Sequence, residues 1–256
     1  MNSLLPDAPR ATTYASPLMV RRRERMLSEA WKLIAERGVE SFTIRELCQR
    51  AGVSQGTFHN AFGTKENIVG LAVVEYASTV VSGNFVNASD TLEGRLERLT
   101  RVNTSILPNK RYISAVMQVF WSDTMSPNMR KTIGDVTKFG FMPFLHKLQN
   151  RQSLLPSINI DQLAETLMLS YYGLLTCWTS GSLPDEELAR RVVADMLLVL
   201  AGATRGAALR EVREWQQQVA ADGPRWRELR RLASGNDVPV DVAEASGPRS
   251  RAVRSG

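Results

Sequence analysis

TIRELCQRAGVSQGTFHNAFGTK, residues 43–65 of a 256-residue chain, decides how the protein folds. Thr43 is a good N-cap and Glu46 follows three residues later, the spacing of a capping box in which each side chain satisfies an orphan backbone N–H of the other's turn. Ile44, Leu47, Cys48 and Ala51 recur at helical spacing and make one apolar face, which leaves Arg45, Gln49 and Arg50 on or near the solvent side. Gly52 permits the left-handed backbone that ends a helix, Val53 plugs the corner, and Ser54 caps a second helix over roughly 55–62. In that second helix Phe58 and Phe62, four apart, anchor inward and leave Gln55, Gly56, Thr57, His59 and Asn60 outward. Short polar side chains presented this way fit the base edges of a major groove, and a corner this tight is that of a helix-turn-helix. Glycine at 56 costs about 1 kcal/mol of helix propensity relative to alanine, a cost that close approach to DNA explains.

Outward from this core, the chain reads as helices throughout. Residues 1–20 carry three prolines without periodicity and read as a disordered arm leading to Arg21, Arg22 and Arg23, either a solvated leader or a tracker of phosphate and minor groove. Leu27, Ala30, Trp31 and Ile34 form the stripe of a first helix that Gly38 ends, so residues 21–66 make a three-helix head. Lys65 opens a long helix through Ile68, Leu71 and Val74 toward Val81, joining the head to a body over 67–232. Leu92, Leu96, Leu99 and Ile106 mark a helix with its charges on the far face, Pro108 stops it, and Ser126-Pro127 starts another that Pro143 should kink. Two helices follow over 160–181 and 184–204, then one or two amphipathic ones over 205–232 with Gly206 and Gly223 as breaks, then a disordered tail over 233–256. No strand pattern is present, so the expected class is all-α.

Charge agrees with a division of labour. The formal net charge is +6; residues 1–70 hold 10 Lys/Arg against 7 Asp/Glu, whereas residues 71–204 hold 12 of each. A basic head and a neutral body suit phosphate attraction at one end and another task elsewhere. Cys48 and Cys177 are too few for a disulfide framework and read as small buried hydrophobes in a reducing cytoplasm. Leu4, Leu5 and Pro6 are followed by Asp7, with no apolar run of signal-peptide length, and no stretch approaches a membrane span. With only His59 and His146, no nucleophile-base pair, no metal spacing and no phosphate-cradling glycine loop, an enzyme, a metal site and a cofactor are all unexpected.

AGVSQGTFHNAFGTKENI, residues 51–68, resembles the DNA-binding signature of the TetR family of bacterial one-component regulators. The resemblance implies an N-terminal three-helix helix-turn-helix domain followed by a helical ligand-binding and dimerisation domain. It implies that Thr43 and Lys65 contact phosphates, and that Arg45, Gln55, Thr57, His59 and Asn60 face the groove, with Gly56 among them. The family very often has tyrosine where this chain has His59, and an aromatic-histidine pair at Asn60 and Ala61; an imidazole replaces the tyrosine's phosphate contact best when protonated.

The resemblance also implies an effector site in the body. Residues 71–204 hold 11 of the chain's 18 aromatic residues, and Met117, Phe120, Trp121, Phe139, Met142, Tyr171 and Tyr172 read either as pocket lining or as plain core. His146, Gln118 and Thr176 are available as polar anchors. An apolar or amphipathic effector fits a neutral body, since burying an unpaired charge is costly. In the paired helices, Leu163, Leu167, Ser170, Gly173, Leu174 and Cys177, and then Leu188, Val192, Met196, Leu200 and Ala203, form stripes that pack either within the chain or across a homodimer through 160–204. The expected function is a ligand-responsive repressor on an inverted-repeat operator in double-stranded DNA; the alternative is an architectural DNA binder without an effector.

Overall fold

The computed structural model describes residues 17–39, 43–82, 90–123 and 125–234. The sequence-predicted arm up to residue 16, Phe42 and the tail from residue 235 lie outside them. Among the described residues the elements are α1 Pro17–Arg37, α2 Ile44–Ala51, α3 Gln55–Phe62, α4 Lys65–Ser82, α5 Leu92–Ser105, α6 Lys110–Trp121, α7 Pro127–Asn150, α8 Ile160–Thr179, α9 Asp185–Ala203, α10 Gly206–Ala220 and α11 Pro224–Ser234, with one 3-10 turn at Leu107–Asn109. No described helix is long and apolar enough to cross a membrane.

Helix α1 starts earlier than its apolar stripe suggests. Pro17 stands at its first residue, where the missing N–H costs nothing, so Arg21, Arg22 and Arg23 ride on the helix and not at the end of an arm. Helix α4 leaves the head and packs against α7 of the body. The contact is close: a Cβ at Gly70 would come 2.6 Å from the Met129 Sδ, so any larger residue there requires the methionine side chain to move.

Two expectations about the body need correction, those for the charges of α5 and for the stripes of α8 and α9. Helix α5 does not keep its charges on the far face, because Arg95 is buried between α5 and α7. Helix α7 runs unbroken through Pro143. The proline lacks the N–H that would bond the Phe139 carbonyl, and since both residues are exposed, water can serve that oxygen. In α9, Leu188, Val192, Met196, Leu200 and Ala203 all lie in the chain's own core, as do Leu163 and Leu167 of α8. Helical periodicity identifies an apolar face but not whose core it enters. The apolar residues left outward are Leu169 of α8, 43% exposed, and Leu198 of α9, 67% exposed.

Of the cysteines, Cys48 is buried and that burial pushes its thiol pKa up, while Cys177 is exposed, contrary to expectation. The C-terminal helices close the body. Helix α10 packs on α9 and α11 packs across α5, each inserting a fully buried indole, Trp215 and Trp226.

Candidate nucleic-acid interface

The head is a small core with a polar outer edge. Met26, Ala30, Leu33 and Ile34 of α1 meet Leu47, Cys48 and Ala51 of α2, and Phe58 and Phe62 of α3, all buried, with the two phenyl rings 5.7 Å apart. At the start of α2, Thr43 Oγ1 accepts the Glu46 N–H at 3.1 Å. The other half of the expected capping box is replaced: the Glu46 carboxylate turns to Arg37 at 3.1 Å and Arg50 at 3.7 Å. Gly52 adopts φ +59, the left-handed cap that ends α2, and its N–H bonds back to the Gln49 carbonyl at 3.2 Å. Ser54 then caps α3, its Oγ accepting the Thr57 N–H at 3.1 Å.

Two arginines that sequence reasoning passed over fix the angle of this unit. Arg23 lies over the Phe62 ring at 4.9 Å and donates to the Ala61 carbonyl at 3.2 Å, tying α1 to the end of α3. Arg25 donates to the Gly52 carbonyl at 3.3 Å, tying α1 to the corner. Their place in an Arg-rich run read as phosphate tracking, and only the packing separates braces from free cations.

The sequence-predicted residues fall on one margin of the head. Gln55, Gly56, His59 and Asn60 are exposed on α3, Arg45 is exposed on α2, and Thr43 is exposed just before it. Thr57 is half-buried, its hydroxyl 2.9 Å from that of Ser54, so it is a shared member of the cap as well as an edge residue. Lys65, the first residue of α4, is half-buried. The His59 ring has a fixed orientation: its Nδ1 lies 2.9 Å from the Gly63 carbonyl, which can only accept, so Nδ1 carries the proton. In the neutral ring Nε2 is therefore an acceptor, suited to a base amino group. It meets a phosphate oxygen only when the ring is protonated.

Residues 26–71, which hold all of α2, α3 and the corner, match the sequence profile of the bacterial regulatory proteins, tetR family. The head of the chain is similar to the DNA-binding domain of the TetR family. Its relatives include the HTH-type transcriptional repressor KstR2 of Mycolicibacterium smegmatis, 22% identical over 203 residues that cover 72% of this chain and 91% of the relative. Solved TetR-family structures share the fold. A regulator from Rhodococcus sp. RHA1 covers 72% of this chain and 97% of its own at 19% identity and a TM-score of 0.57. The structure of RolR in complex with resorcinol covers 85% and 95% at 17% identity and a TM-score of 0.56. The named relatives are transcriptional regulators.

The body places the seven candidate effector residues in two groups. Met117, Phe120 and Tyr172 are buried, with Phe120 edge-on to Tyr172 at 4.6 Å, and the Tyr172 hydroxyl 2.7 Å from Thr137 Oγ1. Burial pushes the Tyr172 pKa up to about 12, so its phenol is neutral. Met142 and Tyr171 are half-buried, whereas Trp121 and Phe139 are 44% and 48% exposed. Trp121 Nε1 donates to Thr176 Oγ1 at 3.1 Å, which engages one of the proposed polar anchors; His146 is exposed on α7. A cleft of about 800 Å3 lies elsewhere, between the end of α1 and α6, lined by Arg37, Lys110, Arg111, Ser114, Gln118 and Thr179. Arg111 there donates to the Glu36 carbonyl at 2.9 Å, a direct link from body to head.

The residue most informative about ligand chemistry was missed. Arg95 stands three residues after Leu92 and four before Leu99, so it shares their inward stripe. Spacing alone could have found it, had its charge not been taken to place it in solvent.

Proposed function

We propose that this protein is a TetR-family repressor that binds an inverted-repeat operator as a homodimer in the cytoplasm and is released by a small amphipathic effector bound in the body. The observation that carries the DNA-binding half is the outer margin of α3. Gln55, Gly56, His59 and Asn60 stand exposed on a helix whose corner, cap and arginine braces hold it rigidly to the head. Arg45 and Gln55 are assigned to base edges, Thr57, His59 and Asn60 to the groove, and Thr43 and Lys65 to phosphates. Dimerisation uses the outward face of α8 and α9, centred on Leu169 and Leu198, because one recognition helix reads too few base pairs for useful specificity.

Effector binding among α5, α7 and α8 favours a state in which the two heads no longer match the operator spacing; the ligand must bind that state better than the DNA-competent one. Helix α4 transmits the shift, since it opens at Lys65 and packs on α7. The test is selection of bound sequences from random duplex DNA. The expected result is a two-fold symmetric site whose half-site centres lie about one helical turn, or a multiple, apart. A collection of bound sequences without a shared motif would identify an architectural binder instead.

A further inference from the structure

Among the described residues Arg95 is the only charged side chain in the buried class, 3% exposed. Its Nη1 donates to the Gly140 carbonyl, its guanidinium lies over the Phe141 ring at 4.1 Å, and its Nε has no hydrogen-bond partner. Arg98 converges on the same patch of α7: a methyl placed on Gly140 would lie 3.7 Å from Arg95 Nη1 and 3.8 Å from Arg98 Nη2. Burial pushes the pKa of both guanidinium groups down, that of Arg95 to about 9, and the Arg98 charge adds to the effect on Arg95. Described carboxylates on α5 and α7 are engaged elsewhere. Glu93 pairs with Arg225 at 3.1 Å, Glu97 with Arg101, and Asp135 with Lys138 at 2.8 Å.

A buried guanidinium normally comes with a carboxylate, because a carbonyl and a ring face replace only part of its hydration. Here the Nε donor of Arg95 is left open, which destabilises the empty protein and favours an anion, and the Arg98 guanidinium lies against the same patch. The planar fork of arginine matches a carboxylate, and the neighbouring Phe141 and Tyr171 rings suit an apolar remainder. We infer that Arg95, with Arg98 beside it, anchors the carboxylate of a small organic acid whose apolar part lies against Phe141 and Tyr171, and that this acid is the effector. The inference rests on the reading of the chain as a ligand-responsive regulator and adds the chemical class of the ligand. It narrows the expectation of an apolar or amphipathic effector to an amphipathic acid: the body is neutral as a whole but positive at this point. By bridging Arg95 of α5 and the Gly140–Phe141 segment of α7, the acid acts on the helix that packs against α4.

The test uses the full chain with straight-chain monocarboxylates from acetate to octanoate and benzoate at millimolar concentration, against their primary amides. One or more acids should raise the melting temperature by about 2–4 °C and release operator DNA, while the amides do neither. Arg95→Met should melt no lower than the wild type, since it removes an uncompensated charge, and should lose the acid-dependent shift. Arg98→Gln, at a less buried position, should weaken the shift while melting normally. Amides matching acids, a shift that survives in Arg95→Met, no response to any acid, or an Arg95→Met protein that melts several degrees lower would each overturn the proposal. Operator binding without acid is measured in the same samples; if it persists while the acids do nothing, the ligand assignment fails and the regulator reading stands.

Discussion

Gly56 faces open space on α3: the nearest atom to a Cβ built there is the Ser54 hydroxyl at 3.8 Å, so nothing in the protein requires glycine. Gly56→Ala should therefore stabilise the head by up to about 1 kcal/mol in thermal unfolding. It should also weaken operator binding if the helix lies against DNA at this point; unchanged affinity would remove Gly56 from the interface. Arg45 and Lys65 separate two kinds of contact. Arg45→Ala should relax preference at one base position at a cost of about 1–3 kcal/mol, whereas Lys65→Ala should weaken all sequences alike and reduce the salt slope by about one. Binding titrated against salt on matched and mismatched duplexes distinguishes them. The interface was legible in sequence at this scale because its determinants are local: Thr43, Gly52 and Ser54 act on backbone within three residues. The role of Arg23 was not legible, because a helix distant in sequence sets it; the inward place of Arg95 was legible from its spacing, but its partners on α7 were not.

At the level of elements, Asp185 joins three helices. It opens α9 and accepts from Lys110 Nζ of α6 at 2.7 Å and from the buried Trp178 Nε1 of α8 at 2.8 Å. These hydrogen bonds, the Lys110 one first, hold its carboxyl below its ordinary pKa of 3.8. Because the folded value is the lower one, the contribution to stability is present above the unfolded pKa and is lost as pH falls through the folded value. Melting followed by tryptophan fluorescence from pH ~5 down to pH ~3 should fall less steeply in Asp185→Asn than in the wild type. The added C-terminal pair is equally specific: Trp226 is fully buried where α11 lies across α5, so Trp226→Ala should cost about 3–5 kcal/mol in denaturant unfolding. The sequence after residue 204 reads as one or two amphipathic helices, and the structure has two; that α11 covers the helix bearing Arg95 depends on tertiary contacts that composition does not encode.

For the whole molecule, the proposed dimer rests on the outward leucines Leu169 and Leu198. Leu198→Asp combined with Leu169→Asp places charge where a partner copy would bury apolar surface, so the double variant should sediment as a monomer at micromolar concentration and lose operator affinity while keeping its melting temperature. A wild-type protein that sediments as a monomer yet binds a single half-site specifically would overturn the dimer. The division into basic head and neutral body was legible from charge counts, since net charge is additive along the chain. The division of apolar stripes between own core and partner was not, because a buried leucine satisfies either.

The contact at Gly70 bears on how such regulators can be recombined. With no side chain at that position, the α4 backbone meets the Met129 side chain of α7 directly. A hybrid protein carrying a different DNA-reading head on this body would keep that seat unchanged if the splice falls before residue 70, or if the incoming helix brings a glycine in the same register; a larger residue there would have to displace Met129, an adaptable side chain.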